Sequence, residues 1–408
     1  MSEHVSRRAF LRTGAAAAAA TAAASTLAFA EEDQVKTPKS LPKRKLGRSG
    51  AEVPILSLGA TRKSDTRILN AAYDNGLHYF DTADCYANGN HELALAEWFK
   101  KTGHRREIFL VTKDHPQAPG QWVEMADRRL EALQVERIDL FFIHALGDEG
   151  DRGYPDQGGK DWPKSKEWAV AVEKMKKSGK IRFAGFVSHC SPIERRIALL
   201  NNAAQGGWVD AIMVSADPYL IRENAEFNKA LDNCHKAGVG LICMKSLRGG
   251  LDHIKEIFPE FQAKGLTPHT AVLHAIWSDE RFATVCAQMN SIKTLVENAN
   301  AARNFTPLTG DELGAVHRML KDHRRTFCHG CDGSCRRAAG TKTAFNDIAR
   351  YLSYYEQDGR RAEARALFDA LPPEQRDWSG ADLCAASRAC VSSLDFPDIL
   401  DRAGSKLA

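Results

Sequence analysis

Four side chains that can exchange protons or orient a ligand follow three short apolar runs of this 408-residue sequence. These four residues, called the rim tetrad below, are Asp81, Tyr86, Lys113 and His144. The first two follow the run at 78–80, the third follows the run at 108–112, and the fourth follows the run at 139–143. Short apolar runs are typical of buried parallel strands, whose carboxyl ends carry the chemistry of barrel enzymes. The spacing therefore predicts that the tetrad meets at one rim of a barrel.

The residue types of the tetrad suit proton transfer to a carbonyl oxygen. A phenol with an ordinary pKa of about 10 is a poor proton donor at neutral pH. A nearby cation favours the phenolate and lowers that pKa toward the range of a general acid. Lys113 is the candidate cation for Tyr86, while Asp81 would hold the lysine and His144 would orient the carbonyl. Each residue alone could equally cap a strand end, and their coincidence favours catalysis.

Strand and helix patterns alternate from about residue 55 to residue 302, and these elements must position the tetrad. Eight strand candidates with intervening helices favour an α/β fold of the (β/α)8 TIM-barrel type over a doubly wound sheet. No G-x-G-x-x-G fingerprint follows an early strand, which disfavours a Rossmann domain. The glycine-rich segment at 147–161 is a candidate substrate loop or an inert surface loop.

The rim tetrad matches, in order and approximate spacing, the Asp-Tyr-Lys-His tetrad of the aldo-keto reductases. The runs at 45–50 and 55–59 also resemble that family's entry hairpin and first strand, and the resemblance covers roughly residues 43–303. It implies hydride transfer between a nicotinamide cofactor, NADP or NAD, and a small carbonyl or alcohol substrate.

The resemblance also implies a set of cofactor-binding residues after the later strands. Ser188 and His189 stand where a Ser-Asn pair usually holds the nicotinamide carboxamide. The whole set is Ser188, His189, Lys245, Ser246, Leu247, Arg248, Gly249, Glu297 and Asn298. Met213 and Met244 depart from the family's usual glutamine and tyrosine, and Lys293 is the only basic residue near the position that often meets a 2′-phosphate. The pattern favours NADP as the cofactor, with NAD as the alternative.

The N-terminus has the features of an export signal. Paired arginines within 6–12 precede an alanine-rich run at 14–28 and an A-x-A cleavage site at 28–30. An ordinary secretory signal or a membrane anchor is the alternative, but the alanine run is short for a bilayer. We expect residues 1–30 to be read by the twin-arginine export machinery, with 31–42 as a linker. The mature protein is then periplasmic or otherwise exported, without a stable membrane anchor.

The composition gives no case for a nucleic-acid partner. The 56 basic and 52 acidic residues nearly balance, and the formal net charge is +4. An extended basic surface for phosphates is not expected from such a balance.

The last part of the chain, 304–408, is predicted to be a helical extension that contains cysteines. Four of them form a candidate metal set: Cys328, Cys331, Cys335 and Cys390. The arrangement resembles the ferredoxin-like tail on a branch of exported bacterial aldo-keto reductases, which implies one [4Fe–4S] cluster and an electron-transfer partner. Ser334 stands in place of a cysteine of an intact ferredoxin run, so a zinc site, disulfides or a remnant are the alternatives. The five cysteines outside the tail, Cys85 among them, are predicted to be structural or inert thiols.

Two functions fit these patterns. The intact tetrad favours an exported reductase, whereas Met213 and Met244 favour a non-catalytic redox or binding module that kept the barrel and lost the cofactor. The substrate and the direction of the reaction do not follow from the sequence.

Overall fold

The chain forms a closed barrel of parallel strands with helices around it. The computed structural model describes residues 40–59, 65–148, 154–190, 193–247, 251, 254, 258–323, 328, 333–356, 359–390 and 394–408. Within these ranges the strands are β1 (Lys43–Lys45), β2 (Glu52–Pro54), β3 (Leu56–Gly59), β4 (Tyr79–Asp81), β5 (Phe109–Asp114), β6 (Ile138–Ile143), β7 (Ile181–Ser188), β8 (Ala211–Ser215), β9 (Gly240–Met244) and β10 (Phe282–Gln288). The barrel closes in the order β10-β3-β4-β5-β6-β7-β8-β9, and every neighbouring pair is parallel.

Helices follow the barrel strands along the chain and continue beyond the last one. In the described ranges they are α1 (Thr66–Asp74), α2 (Asn90–Thr102), α3 (Pro119–Leu133), α4 (Pro155–Gly159), α5 (Lys166–Lys177), α6 (Ile193–Gly206), α7 (Pro218–Glu223), α8 (Ala225–Lys236), α9 (Pro259–Gln262), α10 (Pro268–Ser278), α11 (Ile292–Arg303), α12 (Gly310–His323), α13 (Ser334–Ala338), α14 (Phe345–Glu356), α15 (Arg361–Asp369), α16 (Pro373–Arg376), α17 (Leu383–Arg388) and α18 (Phe396–Lys406). The predicted (β/α)8 barrel with additional C-terminal helices is confirmed.

Strand β6 shows why continuous apolar runs suit this fold. Successive side chains of a strand point to opposite faces. Leu140 and Phe142 lie in the cluster that fills the barrel, while Phe141 and Ile143 lie in the cluster formed with the surrounding helices. Both faces are buried, so the strand needs apolar residues at every position.

The β1–β2 hairpin covers the end of the barrel at which the strands begin. Leu46 is fully buried in the barrel cluster, and the backbone N–H of Arg48 donates to Gly238 O at 2.6 Å. Gly47 has a φ of +52°, and a Cβ at this position would lie 2.4 Å from Gly238 O. The close approach of the two backbones therefore requires glycine, and the opposite end of the barrel is left for the site.

The C-terminal helices form two groups. Helix α12 packs against the barrel helices, with Val316 and Met319 in the same cluster as Phe261. Helices α14, α15 and α18 share a separate hydrophobic cluster around Phe345 and Phe396.

Residues 1–39, which include the predicted signal peptide and most of the predicted linker, lie outside the described residues. Within the part of the chain that the structure describes, no helix combines the length and the apolar character needed to cross a membrane.

Candidate active site

The parallel register brings the rim tetrad to one edge of the barrel. Asp81 is the last residue of β4 and pairs with Val111 of β5, while Lys113 of β5 pairs with Phe142 of β6. His144 follows β6 directly, and its backbone N–H donates to Asp114 O at 2.8 Å. Three neighbouring strands therefore end together, as predicted from the spacing, and their side chains share the rim.

Lys113 is the electrostatic centre of this site. Its side chain is fully buried, and Nζ lies 2.7 Å from Asp81 Oδ2 and 2.6 Å from the carbonyl oxygen of Thr82. Burial acts to lower the pKa of Lys113, but the charge of Asp81, the phenolate form of Tyr86 and the hydrogen bond to Asp81 together outweigh burial and raise it. The ammonium group is therefore held charged and in one position.

Tyr86 lies against this cation. Lys113 Nζ is 4.5 Å from the centroid of the tyrosine ring. Burial raises the pKa of the Tyr86 phenol to about 12, although the charge of Lys113 acts to lower it and that of Asp81 acts to raise it. The sequence-based expectation of a lowered phenol pKa is wrong in its net sign, because desolvation of the phenolate exceeds the attraction of the lysine.

His144 forms the other wall of the site. Its ring stands at 88° to the Tyr86 ring, with centroids 5.6 Å apart. Burial lowers the pKa of His144 to about 4, against the opposing effect of Asp84. The imidazole is therefore neutral at pH 7 and offers one N–H donor and one acceptor, as the orientation of a carbonyl oxygen requires.

Three neighbours of the tetrad were not predicted from the sequence. Cys85 Sγ lies 3.7 Å from His144 Nδ1, and His115 Nδ1 lies 3.5 Å from Asp84 Oδ1. Cys85 is exposed and its sulfur faces the site, and its assignment as a structural or inert thiol stays a prediction. Adjacency to the tetrad was the available signal, since Asp84 and Cys85 precede Tyr86 and His115 lies two residues after Lys113.

Several non-glycine residues of the rim have left-handed backbone conformations. Ala87 and Asn88, which follow Tyr86, have φ of +51° and +54°. Ala145 follows His144 with φ of +57°, and Lys245 follows β9 with φ of +61°. Such conformations are unfavourable for residues with a Cβ, so the surrounding structure must hold these loops in place.

The residues proposed to hold the nicotinamide lie at the same rim. Ser188 ends β7, is buried, and donates its hydroxyl to Leu146 O at 2.9 Å. His189 Nδ1 lies 3.7 Å from Asp148 Oδ2. Met213 and Met244 are buried in the barrel cluster beneath.

The remaining predicted cofactor residues follow β9 and lie on α11. Lys245, Ser246 and Leu247 follow β9 directly, whereas Arg248 and Gly249 lie outside the described residues. Glu297 is exposed and Asn298 is buried, so adjacent positions of α11 face in different directions.

The described cysteines of the candidate metal set lie in or against one hydrophobic cluster of the C-terminal extension. Cys335 is a buried member of the cluster around Phe345, and Cys328 and Cys390 pack against that cluster. No disulfide joins any two described cysteines, and Cys331 lies outside the described residues. The long-range folding of the tail thus places cysteines that are 62 positions apart, Cys328 and Cys390, on one small core.

Fold and site together define a barrel oxidoreductase. The model of the Aldo/keto reductase family matches residues 56–320, more than half of the chain, and the chain belongs to this family.

Individual relatives are similar in sequence, and solved structures share the fold. The Aldo-keto reductase yakc of Schizosaccharomyces pombe, named with NADP(+), is 26% identical over 294 residues, which cover 66% of this chain and 77% of that protein. The holo form of aldo-keto reductase AKR11C1 from Bacillus halodurans has a TM-score of 0.54 at 22% identity, covering 68% of this chain and 96% of that one. An aldo-keto reductase from Klebsiella pneumoniae in complex with NADPH has a TM-score of 0.53 at 24% identity, covering 69% of this chain and 95% of that one.

Proposed function

We propose that the chain is a reductase that transfers hydride between NADP and a small carbonyl or alcohol substrate at the rim tetrad. The supporting observation is the buried Lys113, which is paired with Asp81 and lies 4.5 Å from the centroid of the Tyr86 ring. A buried, permanently charged lysine beside a phenol serves proton transfer better than it serves stability, because buried ion pairs contribute little net stability.

Each member of the tetrad then has one task. Tyr86 donates its proton to the carbonyl oxygen, and the adjacent charge of Lys113 stabilises the phenolate that forms. Asp81 holds the ammonium in place, and the neutral imidazole of His144 orients the carbonyl. In the alcohol direction the phenolate takes the proton back.

The rim also offers a suitable place for the nicotinamide. Hydroxyl, imidazole and ammonium donors follow β7 and β9, and the buried Met213 and Met244 provide an apolar floor beneath them. Ser188, His189 and the segment 245–249 would hold the cofactor, with Glu297 and Asn298 at its adenine end. When bound, the nicotinamide supplies or accepts the hydride. The S. pombe relative is named with NADP(+), which supports NADP over NAD.

The decisive experiment compares Tyr86→Phe with the wild type in reduction of a panel of aldehydes and ketones with NADPH. Positioned general acids contribute about 100-fold or more, so the turnover number should fall by at least that factor while NADPH affinity stays unchanged. Tyr351→Phe, in the extension, is the matched control and should keep full activity. Undiminished turnover in Tyr86→Phe would remove the phenol from the mechanism.

A second candidate function is a binding module that has lost the cofactor. It is favoured by the Ser188 hydroxyl, which already donates to Leu146 O at 2.9 Å, and by methionines at two positions where the family has polar or aromatic residues. Titration with NADPH and NADH, followed by quenching of tryptophan fluorescence, separates the candidates. A chain that binds neither dinucleotide supports the module and contradicts the reductase.

The proposal extends to the two ends of the chain. The tail set of Cys328, Cys331, Cys335 and Cys390 would hold one [4Fe–4S] cluster, a one-electron carrier that implies an electron-transfer partner.

The paired arginines at 7 and 8 would direct the folded protein through the twin-arginine pathway to the periplasm. Export into the periplasm of a host cell should stop when both arginines are replaced by lysine, as immunoblots of cell fractions would record.

A further inference from the structure

We propose that four side chains at the mouth of the barrel form a binding site for a divalent transition metal of the zinc class: Asp84, Cys85, His115 and His144. One carboxylate oxygen, one sulfur and two ring nitrogens from these residues all lie within 4.8 Å of one another. The site is separate from the tail cysteines, and its existence does not depend on the proposed reductase activity.

The distances are close to those of a tetrahedral zinc site. Zinc bonds of about 2.0 Å to nitrogen and oxygen and about 2.3 Å to sulfur place the ligand atoms about 3.3–3.6 Å apart. Asp84 Oδ1 lies 3.5 Å from His115 Nδ1 and 3.9 Å from His144 Nδ1. His144 Nδ1 lies 3.7 Å from Cys85 Sγ. Shifts of a few tenths of an ångström would bring these three contacts to coordination spacing, and the remaining pairs of ligand atoms lie within 4.8 Å.

Hydrogen bonds of ordinary length do not account for the contacts of Asp84. An N–H···O bond spans about 2.7–3.2 Å, and both imidazole contacts of Asp84 are longer. Asp84 Oδ1 is buried, and no donor in the described part of the chain reaches it. A buried carboxylate oxygen with two imidazole nitrogens beyond hydrogen-bond range is placed to share a cation with them.

The backbone holds these ligands on three neighbouring strand ends. Asp84 N–H donates to Lys113 O at 3.2 Å, and His115 N–H donates to Asp114 Oδ1 at 2.8 Å. The hydroxyl of Tyr154 donates to the carbonyl oxygen of His144. Ligands that are positioned before the metal arrives bind it with little reorganisation.

The donor set selects the class of metal. Imidazole and thiolate donors suit zinc, cobalt and related ions, whereas magnesium and calcium prefer oxygen ligands alone. Cys85 is exposed, so an ion from solution can reach the site. Four protein ligands fill a tetrahedral zinc sphere, which is the pattern of structural or regulatory sites.

Metal at this site would also affect the tetrad, a consequence that rests on the proposed function. A metal on Nδ1 of His144 leaves the ring proton on Nε2 and so fixes one tautomer. Binding of zinc would then couple to the orientation of the substrate carbonyl.

The test measures zinc binding to the full chain by calorimetry, with Cys85→Ala and His115→Gln as variants. Loss of an outer-shell partner alone costs about 10- to 100-fold in metal affinity, so loss of a ligand should weaken this site at least about 100-fold. Each variant should therefore bind one zinc fewer per chain than the wild type. His235→Gln and Cys384→Ser, at exposed positions of α8 and α17, are the controls and should keep the wild-type stoichiometry.

Cobalt provides a second readout. Wild-type protein should show a thiolate-to-cobalt charge-transfer band that is weaker in Cys85→Ala, while the contribution of the tail cysteines remains. Circular dichroism confirms that each variant is folded. Unchanged zinc stoichiometry in both variants, or a change in only one of them, overturns the four-ligand site. Failure of the reductase assays alone leaves the zinc result unaffected, so the two proposals fail separately.

Discussion

Lys113 is buried together with Asp81, its ion-pair partner. Its ammonium group has no exposed surface and depends on Asp81 and on one backbone carbonyl. A charge removed from water costs several kcal/mol unless a partner faces it, so neither residue tolerates loss of the other. The same contact that tunes the site therefore also affects folding.

The first prediction is a thermodynamic cycle on this pair. Lys113→Met leaves the Asp81 carboxylate buried alone, and Asp81→Asn leaves the ammonium alone, so each should cost about 3–5 kcal/mol in the free energy of unfolding. The double variant should be more stable than the sum of the two losses by about 0.5–3 kcal/mol, since no uncompensated charge remains. Urea denaturation measures all four proteins.

An exposed ion pair is the matched control. Lys101 Nζ lies 2.6 Å from Glu97 Oε1 on α2, and both side chains are mostly exposed. Lys101→Met should cost less than about 0.5 kcal/mol. Additive losses at the buried pair would contradict the coupling between Lys113 and Asp81.

At the scale of elements, the strands of the site were predictable and the loops between them were not. Apolar runs with both faces buried identified β4, β5 and β6, and parallel register then brought their ends together. The loop conformations depend on left-handed residues such as Ala87 and Ala145, which local sequence does not favour. For this reason the tetrad could be predicted, whereas the approach of His115 to Asp84 could not.

The second prediction concerns α2, the helix that follows the Tyr86 loop. His91 lies in its first turn, is buried, and pairs through Nδ1 with Thr82 Oγ1 at 2.8 Å. Burial lowers the pKa of His91 to about 4 from an ordinary 6.5. The folded protein therefore binds this proton less tightly than the unfolded chain. Stability should be complete above about pH 6.5 and should fall as the pH drops toward 4.

The shift corresponds to about 3 kcal/mol, because one pKa unit is about 1.4 kcal/mol. Unfolding of the wild type and of His91→Gln is compared by urea denaturation at pH 7 and pH 4. Glutamine can keep a hydrogen bond to Thr82 and has no proton to gain, so the variant should lose about 3 kcal/mol less than the wild type over this range. Equal losses in the two proteins would show that the fall in stability arises from other groups.

At the scale of the whole molecule, the described chain has more than one hydrophobic core. The barrel and its helices form the largest cluster, α12 packs in a second one, and α14, α15 and α18 share a separate small one. A core built from so few helices is marginal without a disulfide or a metal. The sequence predicted a helical extension with a candidate metal set, but the kind of centre depends on chemistry that spacing alone does not specify.

The last prediction tests what stabilises this small core. Cys335 is buried in it, and Cys328 and Cys390 pack against it, so thiolates from separate segments converge where a cluster would add folding free energy. Protein purified without oxygen should contain about four iron and four sulfide per chain. Cys335→Ala should lose both and should unfold the extension at a lower temperature, while Cys384→Ser, at an exposed cysteine of α17, should retain them. Iron and sulfide assays distinguish this centre from the zinc site at the barrel mouth, which holds neither. Disulfides found by mass spectrometry, or zinc in place of iron in the tail, would contradict the cluster.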